Sequence, residues 1–261
     1  MHLEKLCLSA VEIARKTGEF IRREYSSFKK EKVLFKTEHD LVSYVDIEAE
    51  KQLIAELTNL LPAAGLITEE SNAAYQKGLN WIIDPLDGTT NFVQRIPHFC
   101  VSIALAQDDE LLIGVVLEVN SEECFWTWKG ATSYCNGEAI SVSATQQMKD
   151  AFIATGFSVK NTELLKGNLE LVETWITNTR GIRRLGTAAL DLCYVARGVF
   201  DAYHETNLSA WDVAAGILIV KNAGGTVSDF SGGEDFLFGT TILATNKVLH
   251  HPFLEKVKEV F

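Results

Sequence analysis

Residues 81–92 read WIIDPLDGTTNF, an apolar run that ends in two aspartates and a Gly-Thr-Thr turn. Pro85 and Gly88 are typical turn residues, so an ordinary turn explains part of the pattern. A turn does not explain Asp84 and Asp87, because neighbouring carboxylates repel each other unless a proton or a cation lies between them. Two interpretations therefore stand at this point, a structural turn and a cation site.

Composition limits the classes of function. The chain has 261 residues, of which 47% are hydrophobic and 23% charged, with a formal net charge of −11. This length allows one large domain or two intimate ones with a sizeable core. The acidic balance argues against direct binding of nucleic acid or of an anionic membrane, which needs a basic surface. A phosphate substrate would need bound divalent cations to reverse the local repulsion.

The cysteines and the N-terminus indicate the compartment. There are five cysteines, an odd number, without a CxxC or zinc-ligand spacing, so we expect buried free thiols in a reducing environment. The N-terminal stretch is amphipathic and charged, which is typical neither of a signal peptide nor of a membrane span. The sequence thus predicts a cytoplasmic protein.

Helix and strand patterns change along the chain. Apolar spacing predicts a helix over residues 3–21 and a second from about Asp46 to Leu61. Residues 81–143 read as strands: WIID, FCVSIALAQ, LLIGVVLEV, CFWTW and AISVS. After 150, strands alternate with helices expected near 161–178, 187–197, 211–223 and 249–260. This order predicts a single α/β unit, 1–261, with two layered halves, 1–145 and 146–261.

More carboxylates stand at the ends of predicted elements. Glu69 and Glu70 follow a short apolar run, and Asp46 and Asp212 stand at helix starts, where each could simply be an N-cap. Strand ends and helix starts meet at one edge of a layered α/β fold, so these side chains could join the two aspartates of DPLD. Oxygen ligands without His or Cys favour hard cations such as Mg²⁺. Two such ions about 4 Å apart can serve phosphoryl transfer to water.

Two turns could hold a phosphate. The turn at residues 88–90 offers backbone N–H groups and hydroxyls. In RRLGTAAL, residues 183–190, a strand is expected to end at Gly186 and a helix to open at Thr187, whose N-terminal N–H groups favour anions. A plain Thr N-cap explains the same pattern. Three nearby arginines (180, 183 and 184) could attract a second phosphate, although a solvated or interfacial cluster is the simpler interpretation.

Five separated motifs resemble one family. WIIDPLDGTTNF resembles the first signature of the inositol monophosphatase family, and WDVAAGILIVKNAGG, residues 211–225, resembles the second. GLITEES (65–71), RRLGTAAL (183–190) and DAYHE (201–205) fall where that family places its glutamates, its phosphate-side helix and its substrate glutamate. The resemblance implies an α-β-α-β-α five-layer sandwich of the inositol monophosphatase and fructose-1,6-bisphosphatase type, and a homodimer.

The resemblance also implies two or three Mg²⁺ ions per subunit. The residues that would hold the first and second ions are Glu69, Asp84, Asp87, Asp212 and the backbone carbonyl of Leu86. Glu70 would contact a weaker third ion through water. Thr89 and Asp46 would orient and polarise the metal-bound water that attacks phosphorus.

For the substrate, the resemblance implies a phosphate side and a sugar side. The residues that would bind the phosphate oxygens are Gly88, Thr89 and Thr90. Those that would face or shape the wall for the hydroxyls are Gly186, Thr187, Ala188 and Glu205. Residues 37–39, 158–163 and 204–210 would lie over or beside the entrance.

The resulting prediction is Mg²⁺-dependent, Li⁺-sensitive hydrolysis of a small phosphorylated polyol or sugar. We expect myo-inositol monophosphate as the substrate. Relatives with the same metal site act on fructose 1,6-bisphosphate, 3′(2′),5′-bisphosphate nucleotides or histidinol phosphate, and these remain alternatives. A role as a protein-binding partner of the transcription machinery is an alternative outside enzymology, and a catalytically dead metal-binding relative is a third option.

Overall fold

The computed structural model describes residues 2–28, 33–37, 40–71, 76–157 and 162–261. The helices in these residues are Leu3–Ser27 (α1), Tyr44–Leu60 (α2), Thr89–Gln94 (α3), Thr162–Asn178 (α4), Ala188–Ala196 (α5), Ala210–Asn222 (α6) and His250–Lys258 (α7). The strands up to residue 140 are Val33–Thr37 (β1), Asp40–Ser43 (β2), Gly65–Thr68 (β3), Leu79–Asp87 (β4), Cys100–Gln107 (β5), Glu110–Glu118 (β6), Cys124–Trp128 (β7), Ser133–Cys135 (β8) and Glu138–Ile140 (β9). The later strands are Phe152–Thr155 (β10), Gly181–Arg183 (β11), Ala202–Thr206 (β12), Thr226–Ser228 (β13) and Thr241–Thr245 (β14).

The larger sheet is covered on both faces. It runs in the order β3-β4-β5-β6-β7-β8-β9, with β3 and β4 parallel and the other neighbours antiparallel. Successive side chains of a strand point to opposite faces. Trp81 and Ile83 therefore pack with α1 and α2, whereas Ile82 packs in the core on the other face. This explains why β4 reads as an unbroken apolar run.

A smaller sheet forms the second β layer. Its order is β11-β10-β12-β14-β13, parallel from β11 to β12 and antiparallel beyond. Helices α5 and α6 lie between the two sheets, and α4 and α7 cover the outer face. Helix α6 lies directly on the larger sheet, because a Cβ at Gly114 would be 2.6 Å from the Ala215 carbonyl oxygen. The layers alternate α-β-α-β-α, which confirms the expected fold class.

Two predicted strand boundaries are wrong. The strand expected over 139–143 ends at Ile140, because the Val142 N–H donates to the carbonyl of Ala223 after α6 instead of joining the sheet. The strand expected to reach Gly186 ends at Arg183. The Leu185 carbonyl accepts from the Asn91 amide and Gly186 has φ of +83°, so the chain has already left the sheet.

The predicted thiol state is confirmed, since all five cysteines are free and buried. Across the described ranges, no helix is both long and apolar enough to cross a bilayer.

Candidate active site

A bulge in β4 brings two aspartates to the same cavity. In the pairing with β5, Asp84 stands opposite Ser102 but Asp87 stands opposite Cys100, so β4 carries one extra residue. Residues three apart on a regular strand point to opposite faces, and the extra residue removes that opposition. Asp84 and Asp87 both line a cavity of about 250 Å³. The Leu86 N–H donates to Asp84 Oδ1 at 2.9 Å and holds that carboxyl in place.

The turn after β4 requires a glycine. Gly88 has φ of +96°, a left-handed conformation that a residue with a Cβ rarely adopts. A Cβ there would also lie 3.0 Å from Thr187 Oγ1 and 3.2 Å from the His98 carbonyl oxygen. Gly88 therefore lets Thr89 and Thr90 open α3 beside the aspartates, and all three line the cavity.

Thr89 is hydrogen-bonded to a buried carboxylate. Its Oγ1 lies 2.8 Å from Asp46 Oδ1 and 3.1 Å from the Leu86 carbonyl oxygen, and both are acceptors. The other oxygen, Asp46 Oδ2, accepts from the Ser43 N–H at 2.8 Å and from the Ser43 hydroxyl at 2.6 Å. Burial raises the pKa of Asp46, and the bonds from Ser43 and Thr89 lower it.

The interpretation of Asp46 and Asp212 as N-caps is wrong. Ser43 and Ser209 are the N-caps of α2 and α6, and each aspartate is the third helical residue of a capping box. In such a box the third residue's side chain accepts from the backbone N–H of the cap, which satisfies a donor that the helix leaves open. The Ser209 N–H donates to Asp212 Oδ2 at 2.7 Å. Each aspartate can thus cap its helix through one oxygen and keep the other for the site.

Four carboxylates surround the cavity: Glu69, Asp84, Asp87 and Asp212. Burial raises the pKa of Asp84 well above its usual value, and the charges of the other three acids raise it further. For Asp87, burial and then the charge of Asp212 raise the pKa, whereas the hydrogen bond from the Ala189 N–H lowers it. Such a cluster is costly to ionise unless a cation compensates it.

The composition of this cluster suits a hard divalent cation, because it offers carboxylate oxygens and the Leu86 backbone without His. Within the described residues, no three Asp, Glu, His or Cys side chains converge closely enough to hold an ion as they stand. The four acids therefore surround the cavity rather than close on one point.

The start of α5 lies beside the turn, since a Cβ on Gly88 would be 3.0 Å from Thr187 Oγ1. Gly186 lines the cavity, and Thr187 and Ala188 are buried behind it. Thr187 occupies the N-cap position, but its hydroxyl donates to the His98 carbonyl at 3.3 Å and makes no capping bond. Thr187 is thus the N-cap by position, as the plain interpretation predicts, but it lacks the side-chain capping bond. The Ala189 N–H donates to Asp87 Oδ2 at 2.9 Å, which ties this helix start to the acidic cluster.

Glu205 and Glu70 lie near the cavity without lining it. The Tyr203 hydroxyl donates to Glu205 Oε2 at 2.6 Å. Burial raises the pKa of Glu205 to about 7, although the Tyr203 bond and the charge of Arg184 lower it. The charge of Glu205 raises the pKa of Asp87, so the two groups are within electrostatic reach. Glu70 is half-buried, and its N–H donates to Glu50 Oε2 at 2.8 Å.

Two lining residues were not among the predicted site residues. Asn91 directly follows the DGTT turn, and its amide donates at 2.9 Å to the carbonyls of His98 and Leu185. Arg184 is the one basic side chain that lines the cavity among the described residues. Arg184 is exposed, as a solvated cluster predicts, but it also lines the cavity and lies over Phe157, with its Cζ 5.2 Å from the ring centroid. Arg180 instead pairs with Asp150.

Not every part of the predicted entrance is described. Of the stretches expected there, residues 38–39 and 158–161 lie outside the described residues. The third stretch, residues 204–210, spans the end of β12 and the start of α6; it contains Glu205 and ends two residues before Asp212.

Known proteins resemble the whole chain. An inositol-1-monophosphatase from Mesorhizobium japonicum is 37% identical over 251 residues, covering 95% of this chain and 94% of the relative. A Nus factor SuhB from Pasteurella multocida has the same identity and coverage. The crystal structure of extragenic suppressor protein suhB from Bartonella henselae superposes with a TM-score of 0.91 at 36% identity, covering 97% of this chain and 98% of that one. Because the model of the inositol monophosphatase family also matches residues 2–260, the chain belongs to that family.

Proposed function

We propose that the protein is a Mg²⁺-dependent phosphomonoesterase that hydrolyses a small phosphorylated polyol or sugar, with myo-inositol monophosphate as the leading candidate. The observation that carries this proposal is the meeting of four carboxylates, the Gly88 turn and the bonded Thr89–Asp46 pair at one cavity. Family membership supports phosphatase chemistry. The specific substrate rests on the resemblance of the DAYHE stretch to the family's substrate segment.

The acidic cluster would hold two or three cations. The ligands would be Glu69, Asp84, Asp87, Asp212 and the Leu86 carbonyl, with Glu70 close by. When bound, the cations would neutralise phosphate charge and make a water molecule more acidic. The anionic cluster would otherwise repel the substrate.

Thr89 and Asp46 would accept the proton of the attacking water. Thr89 Oγ1 can accept a proton from a water on the cavity side while it donates its own to Asp46 Oδ1, 2.8 Å away. The Ser43 bonds to Asp46 Oδ2 hold that carboxylate still. A fixed hydroxyl–carboxylate pair of this kind aligns an attacking lone pair without a catalytic histidine.

The phosphate and the leaving group would contact different sides of the cavity. Backbone N–H groups and hydroxyls of residues 88–90 would hold the phosphate oxygens, and Arg184 would add the positive charge that the cluster lacks. Glu205 and Ala188, with Gly186 and Thr187 beside them, would face the hydroxyls of a polyol. A hydroxyl-rich leaving group is favoured because a carboxylate needs donors.

A phosphate-release panel tests this proposal. We expect Mg²⁺-dependent release from inositol 1-phosphate, and we would compare fructose 1,6-bisphosphate, 3′-phosphoadenosine 5′-phosphate and histidinol phosphate. Asp109→Asn serves as the matched control because Asp109 is exposed and does not line the cavity. Full activity in excess EDTA would contradict a metal mechanism.

A protein-binding role is a second candidate, since a 37% identical relative carries the name Nus factor SuhB. Pull-down of transcription proteins by wild type and by a folded Asp87→Asn variant separates the two roles, because binding alone does not need the acidic cluster.

We also propose a homodimer, as the family resemblance implies. Light scattering that gives a monomer at micromolar concentration would contradict it.

A further inference from the structure

Gly156 lies directly against the carboxylate of Glu205. A Cβ built on Gly156 would be 1.9 Å from Glu205 Oε2, 2.1 Å from Cδ and 2.3 Å from Oε1. Real Cβ atoms essentially never come within 3.0 Å of another heavy atom. Any side chain at position 156 would therefore displace the Glu205 carboxylate.

Strand pairing accounts for this contact. Strands β10 and β12 are parallel, with Thr155 paired to His204, and the Gly156 N–H continues the ladder to the His204 carbonyl at 3.3 Å. Glu205 is thus the lateral neighbour of Gly156. On its other side Glu205 faces Ile242, which is buried and apolar and offers no side-chain hydrogen bond.

Tyr203 fixes the carboxylate from the same strand. It precedes Glu205 by two residues, so both side chains point to one face of β12. Tyr203 is fully buried, and its hydroxyl donates to Glu205 Oε2 at 2.6 Å. Among the described residues, the Tyr203 hydrogen bond therefore holds the carboxylate, which occupies the space that a side chain at position 156 would fill.

Backbone geometry does not demand glycine at this position. Gly156 is absent from the residues with positive φ, so alanine can adopt its conformation. Gly181, which pairs with Phe152 on the neighbouring strand β11, is also absent from the residues with positive φ. A Cβ there would lie 3.5 Å from its nearest atom, in the Phe152 ring. The two glycines differ in what a side chain would meet.

We propose that Gly156 is a specificity-determining position, which together with Tyr203 positions Glu205 to recognise hydroxyl groups of the substrate. This inference rests on the proposed function. Gly156 acts through Glu205 and has no contact of its own with the reacting phosphate in this proposal. A side chain at 156 should therefore weaken selection of a polyol phosphate over a phosphate ester that has no hydroxyls.

The test compares two substrates on the same enzyme preparation. Inositol 1-phosphate carries hydroxyls on its leaving group, and 4-nitrophenyl phosphate carries none. For Gly156→Ala, the ratio of kcat/KM for the first to that for the second should fall about 10- to 100-fold, the range for loss of a hydrogen bond to a charged group. The ratio is independent of the folded fraction, because the same active molecules hydrolyse both substrates.

A double-mutant cycle separates positioning from general damage. In a Glu205→Ala background the carboxylate is gone, so adding Gly156→Ala should change the ratio by less than about twofold, as expected for two coupled neighbours. Gly181→Ala is the matched control and should leave the ratio unchanged.

The outcomes distinguish this inference from the proposed function. A ratio that falls in Gly156→Ala and does not fall further in the double variant supports the inference. A Gly156→Ala enzyme that hydrolyses both substrates at the wild-type ratio, or a full additional fall in the double variant, overturns the inference alone. A wild-type enzyme that releases no phosphate from either compound overturns the proposed function and this inference with it.

Discussion

Asp87→Asn gives the most direct test of the acidic cluster. Asparagine keeps the size of the side chain, and its carbonyl oxygen can still accept the Ala189 N–H that Asp87 Oδ2 accepts at 2.9 Å. The amide nitrogen then faces the cavity, so the site loses one negative charge and one oxygen acceptor. Asp87 would contribute to two cation sites, so both weaken.

We expect kcat/KM of Asp87→Asn to fall by about 10³-fold or more, which corresponds to about 4 kcal/mol of activation free energy. The assay is phosphate release from inositol 1-phosphate at saturating Mg²⁺, with Asp109→Asn as the exposed control. In EDTA the melting temperature should match or exceed that of the wild type, because the substitution removes the repulsion of Asp87 with Asp84 and with Asp212. A folded variant with near-normal turnover would refute this reasoning, because asparagine suits a purely structural turn as well as aspartate does.

Three further predictions address the neighbouring groups. Thr89→Ala should lower kcat by about 10²-fold, and Thr89→Ser should retain most of it, because the hydroxyl bonded to Asp46 carries the proton; equal losses in both variants would contradict this role. Arg184→Gln should raise KM about tenfold with little change in melting temperature, since it removes a charge-assisted contact to the anionic substrate; steady-state kinetics that leave KM unchanged would exclude this contact. In EDTA the melting temperature should fall as the pH rises above 3.8, the ordinary pKa of aspartate, because the folded-state pKa values of Asp84 and Asp87 are raised and their ionisation costs more in the folded protein. Added Mg²⁺ should reduce that fall, and melting curves from about pH 4 to pH 8 would detect an opposite slope.

Local sequence patterns predict much of the fold, because a strand that is buried on both faces has an unbroken apolar sequence. The run WII of β4 is apolar throughout since α1 and α2 cover one face and α5 and α6 the other. The strand expected over 139–143, which ends at Ile140, shows where such patterns fail. The alternation of apolar residues predicts that the strand continues, but the Val142 N–H donates to the Ala223 carbonyl at the end of α6. Short-range spacing does not reveal this contact.

The site was predictable by residue type and less so by geometry. Acidic residues at element ends pointed to Asp84, Asp87 and Asp212, but no pattern indicates the extra residue of β4 that turns two aspartates to one cavity. The sequence does not distinguish Arg184 from Arg183, because two adjacent arginines look equivalent. The fold places Arg183 over Phe152 and Arg184 at the cavity. Side-chain direction after a strand end depends on tertiary contacts that spacing does not encode.

The two capping boxes make the positions of Asp46 and Asp212 sensitive to temperature. Asp46 and Asp212 each hold the first turn of a helix and also stand at or next to the cavity. Helix ends are the first parts of a helix to open on warming. If the first turn of α2 or α6 frays, the cap bond from Ser43 or Ser209 is lost, and the aspartate leaves its working position while both sheets stay intact. Heat inactivation should therefore begin below the temperature of global unfolding, and bound cations that tether Asp212 should narrow the interval between the two temperatures.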